Sequence, residues 1–120
     1  MHHTQSLTEN YEFRRVYGRG KSAGTVHIVA YVLPNRRAYN RLGITVSAKV
    51  GKAVLRNKIR RRLKEIYRLE EPSILAGFDI VIVARVKAGE SDYHTLRRDF
   101  LRLAKKLGIL GTNTSHTKGA

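Results

Sequence analysis

The segment from Arg56 to Arg68 carries an apolar stripe through a dense run of positive charge. Seven basic residues face a single acid, Glu65; they are Arg56, Lys58, Arg60, Arg61, Arg62, Lys64 and Arg68. The apolar residues recur at steps of three and four, which places them on one face of a helix; they are Leu55, Ile59, Leu63, Ile66 and Tyr67. The pattern predicts a helix over about residues 53–69 that packs one face on a core and presents cations elsewhere, with Arg56 at the rim of the apolar stripe and pointing partly inward.

The composition favours a polyanionic partner. The 120 residues include 24 Lys+Arg against 9 Asp+Glu, a formal net charge of +15. Such charge repels itself in the folded state, and a nucleic acid relieves it by releasing counterions from its phosphates. An anionic membrane surface is the rival, but no apolar run approaches the roughly 20 residues of a span, and residues 1–9 are polar, without a signal peptide. We therefore expect a cytoplasmic nucleic-acid-binding protein with no membrane partner.

Around this helix the chain predicts one α+β domain of order αββαβα. Ser6 or Thr8 would cap a first helix that runs to about Tyr17, with Glu9 completing a capping box from Ser6. Segments 25–33 and 41–47 read as strands that pair as a hairpin. Segment 78–84 is apolar on both faces and is expected to be a central strand.

The ends of the chain follow from the same signals. Ser91 or Asp92 would cap the last helix, Gly108 would stop it, and its apolar stripe is Tyr93, Leu96, Phe100, Leu103 and Leu107. Residues 1–6 are predicted to be a flexible leader, 7–108 the folded domain, and 109–120, rich in Thr, Ser, Gly and Asn, a disordered tail.

Aromatic residues beside the basic surface indicate the kind of nucleic acid. Phe13 and Tyr17 lie one turn apart on the first helix, and Tyr31 lies on the mixed face of the first predicted strand. All three can be core residues, and for Phe13 this is about an even choice. Exposed aromatics beside cations form a platform for unpaired bases, so the alternative is a site for single-stranded nucleic acid.

Catalytic patterns are missing from the sequence. Asp79, Asp92 and Asp99 are scattered, without the spacing of a two-metal nuclease, and His27 and His94 have no triad partners. The chain has no cysteine for a thiolate metal site. The residues alone therefore predict an RNA-binding protein with no catalytic and no metal site of its own.

Three ordered blocks resemble the bacterial ribonuclease P protein component. Residues 49–64, centred on Arg56-Asn57-Lys58, resemble its "RNR" signature; residues 13–20 resemble its N-terminal helix, and residues 79–85 its third strand. The resemblance covers about residues 7–107. Lys58 replaces the usual second arginine, which keeps the charge but loses the bidentate fork, and Tyr17 stands where phenylalanine is frequent.

The resemblance implies a function that the residues alone do not. Members assist a catalytic RNA, which uses Mg²⁺ bound mainly by that RNA, to remove the 5′ leader of precursor tRNA. They need no obligate protein partner, and their βαβ crossover is left-handed, against the general rule. By resemblance, Phe13, Tyr17 and Tyr31 would bind the leader. The residues that would face the catalytic RNA are Lys49, Lys52, Arg56, Asn57, Lys58, Arg60, Arg61 and Lys64.

Two other functions remain open at this point. A ribosomal or ribosome-assembly protein would share the charge but would not need an aromatic cleft. A protein-only nuclease would need clustered carboxylates, which the sequence lacks.

Overall fold

A five-stranded mixed sheet forms around the strand that is apolar on both faces. In the computed structural model, which describes residues 4–111, the strands are β1 (Thr4–Ser6), β2 (Lys21–Gly24), β3 (Ile28–Pro34), β4 (Asn40–Val46) and β5 (Phe78–Ala84). The helices are α1 (Asn10–Arg19), α2 (Ala53–Glu70) and α3 (Tyr93–Lys106), with 3-10 turns at Ala48–Val50, Glu71–Ser73 and Val86–Glu90. The predicted α+β class is confirmed, and two short edge strands, β1 and β2, are added to the predicted elements.

The predicted hairpin between segments 25–33 and 41–47 is wrong. The strand order is β1-β4-β5-β3-β2, so β5 lies between β3 and β4. β5 pairs antiparallel with β3 and parallel with β4. A strand that is apolar on both faces is best buried when it has neighbours on both edges, so it displaces the local hairpin pairing. The parallel β4–α2–β5 unit is the one for which the left-handed crossover remains a prediction.

The two faces of the sheet carry separate apolar layers. α2 and α3 cover one face, where Ile28, Ile82, Leu63 and Phe100 belong to the large core cluster. α1 covers part of the opposite face, where Val16 packs with Val81 in a smaller cluster. Alternate residues of β3, Ile28, Ala30 and Val32, share the larger core, which leaves Tyr31 on the opposite face with the smaller cluster.

The folded part extends beyond the predicted domain at both ends. Thr4–Ser6, assigned to the flexible leader from sequence, pairs in parallel with β4. Ile109, assigned to the disordered tail, is buried, and its carbonyl accepts a hydrogen bond from the Leu75 backbone N–H at 2.8 Å. Each segment is short and contacts a neighbour distant in sequence, which local composition does not reveal. The rest of the predicted leader and tail, residues 1–3 and 112–120, lies outside the described residues.

The start of α1 also differs from the prediction, because β1 draws Ser6 into the sheet. Glu9 is the N-cap instead, and it forms a capping box with Glu12, whose Oε1 accepts the Glu9 backbone N–H at 3.1 Å. α2 and α3 start as expected, and the Asp92 side chain caps α3 by accepting the Thr95 N–H at 2.8 Å. The predicted Ser6 capping box therefore gives way to one that starts three residues later.

A buried guanidinium fixes α1 to the sheet. Arg41 on β4 donates to Asp79 on β5 through Nε at 2.9 Å and Nη2 at 2.7 Å, and to Glu12 on α1 through Nη1 at 2.6 Å. Burial raises the pKa of Asp79, but hydrogen bonds from Arg41 and Asn35 outweigh it, so the pKa lies below its usual value. The paired carboxylates in turn raise the pKa of Arg41. One cation thus ties α1, β4 and β5 together.

Replacing Asp79 with alanine should destabilise the fold strongly. Arg41 would remain buried with half of its partners removed, and breaking a buried pair from one side costs about 3–5 kcal/mol. Urea unfolding of Asp79→Ala measures this loss. The control is Glu65→Ala, which removes the exposed Glu65–Arg68 pair and should leave the unfolding midpoint nearly unchanged. Equal midpoints for the two variants would contradict the anchoring role of Arg41.

Candidate nucleic-acid interface

A cleft opens where α1 stops covering the sheet. On the α1 face, one row of the sheet runs through Gly43, Val81 and Tyr31, and α1 lies over it. The next row runs through Thr45, Val83 and Val29, which are half-buried although they lie in the middle of the sheet. This second row forms the floor of the cleft, and the side of α1 forms its wall.

Two tyrosines meet at the mouth of this cleft. The rings of Tyr17 on α1 and Tyr31 on β3 are 4.9 Å apart between centroids and nearly perpendicular, at 76°. The Tyr17 side chain is 39% exposed, and its hydroxyl lies 3.3 Å from the Thr45 hydroxyl on β4. An aromatic ring held edge-on by another keeps a face open, which is the arrangement that an unpaired base can stack on.

Phe13 continues the aromatic surface toward the β4 edge. A Cβ atom on Gly43 would stand 2.5 Å from the Phe13 ring, so only glycine lets the ring lie directly on the strand. Phe13 is half-buried and packs with the Val16–Val81 cluster. The ring therefore packs against the core and also lines the cleft. The sequence signal for this contact is a glycine inside an otherwise apolar strand.

The basic side of α2 borders the same end of the cleft. Arg60 and Lys64 line a depression shared with Phe13, Gly43 and Leu7. Arg60 also donates to Asn57 Oδ1 at 3.1 Å, which holds the two exposed side chains together. Arg61 and Lys64 flank the next depression along α2. The aromatic cleft and the cationic helix surface therefore form one continuous region.

The first turn of α2 adds unused hydrogen-bond donors. Lys52 is the N-cap, with no side-chain cap and no acid in the first turn, so backbone N–H groups remain free for an anion. Arg56 is half-buried, as its place at the rim of the apolar stripe predicted, and its buried Nε–H has no partner among residues 4–111. Lys49 lies exposed in the turn that precedes the helix.

Not every cation of the basic run faces this region. Arg62 donates to the Ser91 carbonyl at 2.9 Å and ties α2 to the start of α3. Arg68 is paired with Glu65 at 2.6 Å. Lys58 is exposed but shares a side of α2 with Arg62, one turn away, rather than with Arg60. The structure thus brings together most of the predicted interface and separates Lys58 from it.

Three side chains join the site that the sequence did not indicate. Thr45 holds the Tyr17 hydroxyl, and Asn10 and Arg14 line the depression beside Phe13 and Tyr17. The position of Thr45 on the cleft face of the sheet can be predicted from strand alternation once β4 and β5 are known to be neighbours. Asn10 and Arg14 have helical spacing with Phe13 and Tyr17, a signal present in the sequence but indistinct without the cleft.

The carboxylates of this region are committed to other contacts. Glu12 and Asp79 hold Arg41, and residues 4–111 contain no group of three His, Cys, Asp or Glu side chains able to hold a metal ion. In the same described range no helix has the length and apolar content needed to cross a bilayer. The fold and the site define a small α+β protein whose cationic helix and aromatic cleft suit single-stranded RNA.

Comparison with known proteins narrows this class. The family model for ribonuclease P matches residues 1–108. The chain is 45% identical over 108 residues to the ribonuclease P protein component of Natranaerobius thermophilus, covering 90% of this chain and 94% of that protein. The solved ribonuclease P protein of Staphylococcus aureus superposes with a TM-score of 0.82 at 31% identity, covering 88% and 97% of the two chains. That of Thermotoga maritima gives 0.78 at 37% identity, covering 85% and 96%.

The chain therefore belongs to the ribonuclease P protein component family. Membership makes it a subunit of an endoribonuclease complex that matures the 5′ end of tRNA, with the ribonuclease P RNA and tRNA as partners. The family resemblance stated from sequence is confirmed, and so is the fold class.

Neutralising single cations on α2 should weaken binding to ribonuclease P RNA. Arg60→Ala and Arg61→Ala should each flatten the log–log dependence of affinity on salt by about 0.7–0.9, the value for one phosphate contact. The measurement is a salt titration of RNA binding. Arg62→Ala removes the same charge from a residue that contacts Ser91 and should change the slope less. Equal slopes for all three variants would show that net charge, rather than this surface, determines binding.

Proposed function

We propose that this protein binds the catalytic RNA through α2 and the 5′ leader of precursor tRNA through the cleft beside α1. The observation that carries the proposal is that the two surfaces adjoin: Arg60 and Lys64 of α2 line the same depression as Phe13 at the edge of the cleft. One RNA bound on α2 and a second strand in the cleft would then be neighbours. A leader that enters the cleft is thereby held next to the RNA that cuts it.

The aromatic side chains suit a leader of any sequence. Stacking on Tyr17, Tyr31 or Phe13 uses the face of a base, which every base offers, and no base edge needs to be read. Thr45 and Asn10 add polar contacts at the cleft wall. Because mature tRNA has no leader, contacts confined to the cleft would favour the precursor over the product.

The α2 surface would act on the catalytic RNA through charge. The cations on this surface are Lys49, Lys52, Arg56, Arg60, Arg61 and Lys64, whereas Lys58 of the predicted set lies on the other side of α2. Asn57 adds a neutral amide, and the free first-turn N–H groups of α2 add neutral donors. Cations that offset phosphate repulsion would let the RNA fold and bind substrate at a lower Mg²⁺ concentration.

The proposal places Mg²⁺ on the RNA. The carboxylates nearest the cleft, Glu12 and Asp79, accept hydrogen bonds from Arg41 and are not free to hold a metal ion. These two carboxylates therefore do not fit a magnesium site, and the contribution proposed for this protein is to bind and position RNA. We place this work in the cytoplasm, with no obligate protein partner.

Cleavage in three parallel reactions tests the proposal. Precursor tRNA is incubated with this protein alone, with a bacterial ribonuclease P RNA alone, and with both, across a Mg²⁺ series. We expect no cleavage by the protein alone, since two-metal chemistry needs clustered carboxylates, and cleavage at a lower Mg²⁺ concentration when both are present. Cleavage by rigorously purified protein would overturn the assignment of catalysis to RNA.

Removing a cleft tyrosine should reduce the preference for precursor over mature tRNA. Tyr17→Ala and Tyr31→Ala should each weaken precursor binding by about 1–3 kcal/mol, the contribution of one stacked base, and leave mature tRNA binding nearly unchanged. The measurement is the ratio of the two affinities in the reconstituted holoenzyme. A melting curve for each variant separates this from lost packing, which would lower both affinities together. An unchanged ratio of precursor to mature tRNA affinity in folded variants would contradict leader binding in the cleft.

A further inference from the structure

The outer face of α1 carries a second, unassigned surface. Tyr11, Arg14 and Gly18 recur at steps of three and four, so they share one face of the helix. This face lies opposite the buried Glu12 and Val16. All three residues are exposed, and Tyr11 is 61% exposed, among the most exposed large apolar side chains of the described chain.

Neither side chain on this face has a partner within residues 4–111. Tyr11 makes no hydrogen bond or ring contact there, and Arg14 makes no ion pair, whereas the next arginine, Arg15, reaches Asp79 at 3.3 Å. Arg19 follows one residue after Gly18, at the exposed end of the helix. An exposed aromatic ring on the same helix as unpaired guanidinium groups has the composition of a single-stranded nucleic-acid platform.

The two glycines at the end of α1 have different causes. Gly20 is required by the fold, because a Cβ there would stand 2.6 Å from the Val16 carbonyl oxygen and 2.7 Å from that of Val32. A Cβ atom at Gly18 would have no atom within 4 Å. Gly18 also lies inside α1, where glycine is less favourable than alanine. Packing within the described residues gives no reason for glycine at 18. A ligand backbone that approaches the helix closely between Arg14 and Arg19 would supply one.

This surface is continuous with the cleft. Arg14 lines the same depression as Asn10, Phe13, Tyr17 and Thr45, and it also belongs to the outer face with Tyr11 and Gly18. Passing around α1 from Tyr17, a strand meets Arg14 first, then Gly18 and Tyr11. Charge and aromatic contacts thus continue from the cleft wall onto the outside of the helix.

We propose that the leader RNA bends over α1 after it leaves the cleft. Nucleotides beyond those at Tyr17 would stack one base on Tyr11, hold phosphates on Arg14 and Arg19, and pass their backbone over Gly18. This inference rests on the proposed function and extends it to a defined second leader site. The ligand class is single-stranded RNA, bound without base readout.

A leader-length series in the reconstituted holoenzyme tests the proposal. Precursors whose leaders lengthen one nucleotide at a time are bound to parent, Tyr17→Ala and Tyr11→Ala holoenzymes. Tyr17→Ala should lose affinity from short leaders onward, and Tyr11→Ala only beyond a longer threshold, by about fivefold or more for one stacked base. Tyr11→Phe keeps the ring and should bind as the parent does. Catalytic RNA and mature tRNA should bind Tyr11→Ala unchanged.

Gly18→Ala supplies an independent readout. The added methyl group meets nothing in the protein, so the variant should melt about 2–5 °C higher, as expected for a better helix former. It should nevertheless bind long-leader precursor less tightly. A variant that is both more stable and weaker in binding cannot be explained by misfolding.

The controls separate the possible failures. Arg14→Ala should weaken binding of short leaders, because Arg14 also lines the cleft depression, and should weaken it further beyond the longer threshold. Arg102→Ala, an equal charge change at an exposed position of α3, should do neither. A Tyr11→Ala defect that is independent of leader length, or that appears with catalytic RNA alone, would overturn the proposal in favour of a catalytic-RNA contact. No defect at any length would overturn it too. If Tyr17→Ala instead bound precursors of every leader length as tightly as the parent does, the cleft assignment on which this proposal rests would be overturned.

Discussion

The contact on which the site depends is the buried guanidinium of Arg41. Within residues 4–111 it is the group that touches a carboxylate on β5 and a carboxylate on α1 at once, at 2.7 and 2.6 Å. Because Asp79 is completely buried, neither partner can be lost without leaving an uncompensated charge in the interior. Together with the Arg15–Asp79 ion pair and the packing of Val16 on Val81, this cation holds α1 on the sheet and so sets the width of the cleft beside it.

The same arrangement explains the large net charge of the surface. Glu12 and Asp79 are consumed beneath α1, Asp99 accepts His27 and Thr25, and Asp92 caps α3. Several acids are thus placed where they complete the fold, and the cations of α2 beside the cleft, Arg60, Arg61 and Lys64, have no ion pair within residues 4–111. Specific internal pairing and a nearly single-signed RNA-binding surface come from one distribution of a few carboxylates.

Sequence reasoning was most accurate where the signal is local. α2, β5 and α3 follow from an apolar stripe, a doubly apolar run and an Asp cap, and the aromatic trio follows from helix and strand periodicity. The hairpin prediction is wrong because β5, which is apolar on both faces, takes the place between β3 and β4. β1 is not predicted because its three polar residues carry no strand signal of their own. The Arg41 network was invisible because Glu12, Arg41 and Asp79 are far apart in the chain.

The site residues show the same division. Arg56 at the stripe rim was located correctly from helix geometry, and its unpartnered Nε–H extends that reading. Lys58 was grouped with Arg60 because both belong to one motif, yet the turn of the helix separates them. Gly43 and Thr45 became meaningful only when β4 was placed beside β5, since their roles depend on what lies above them.

The central position of β5 has a consequence for how the protein is made. Tyr31 on β3 and Val81 on β5 are paired across the sheet, although fifty residues separate them in the chain. At synthesis rates of about 5–20 residues per second, β3 waits roughly 3–10 s for its partner to leave the ribosome. During that interval β4 also lacks its neighbour, and the basic α2 segment has already emerged. The nascent chain is therefore a polycation without a completed sheet until β5, at residues 78–84, has been translated.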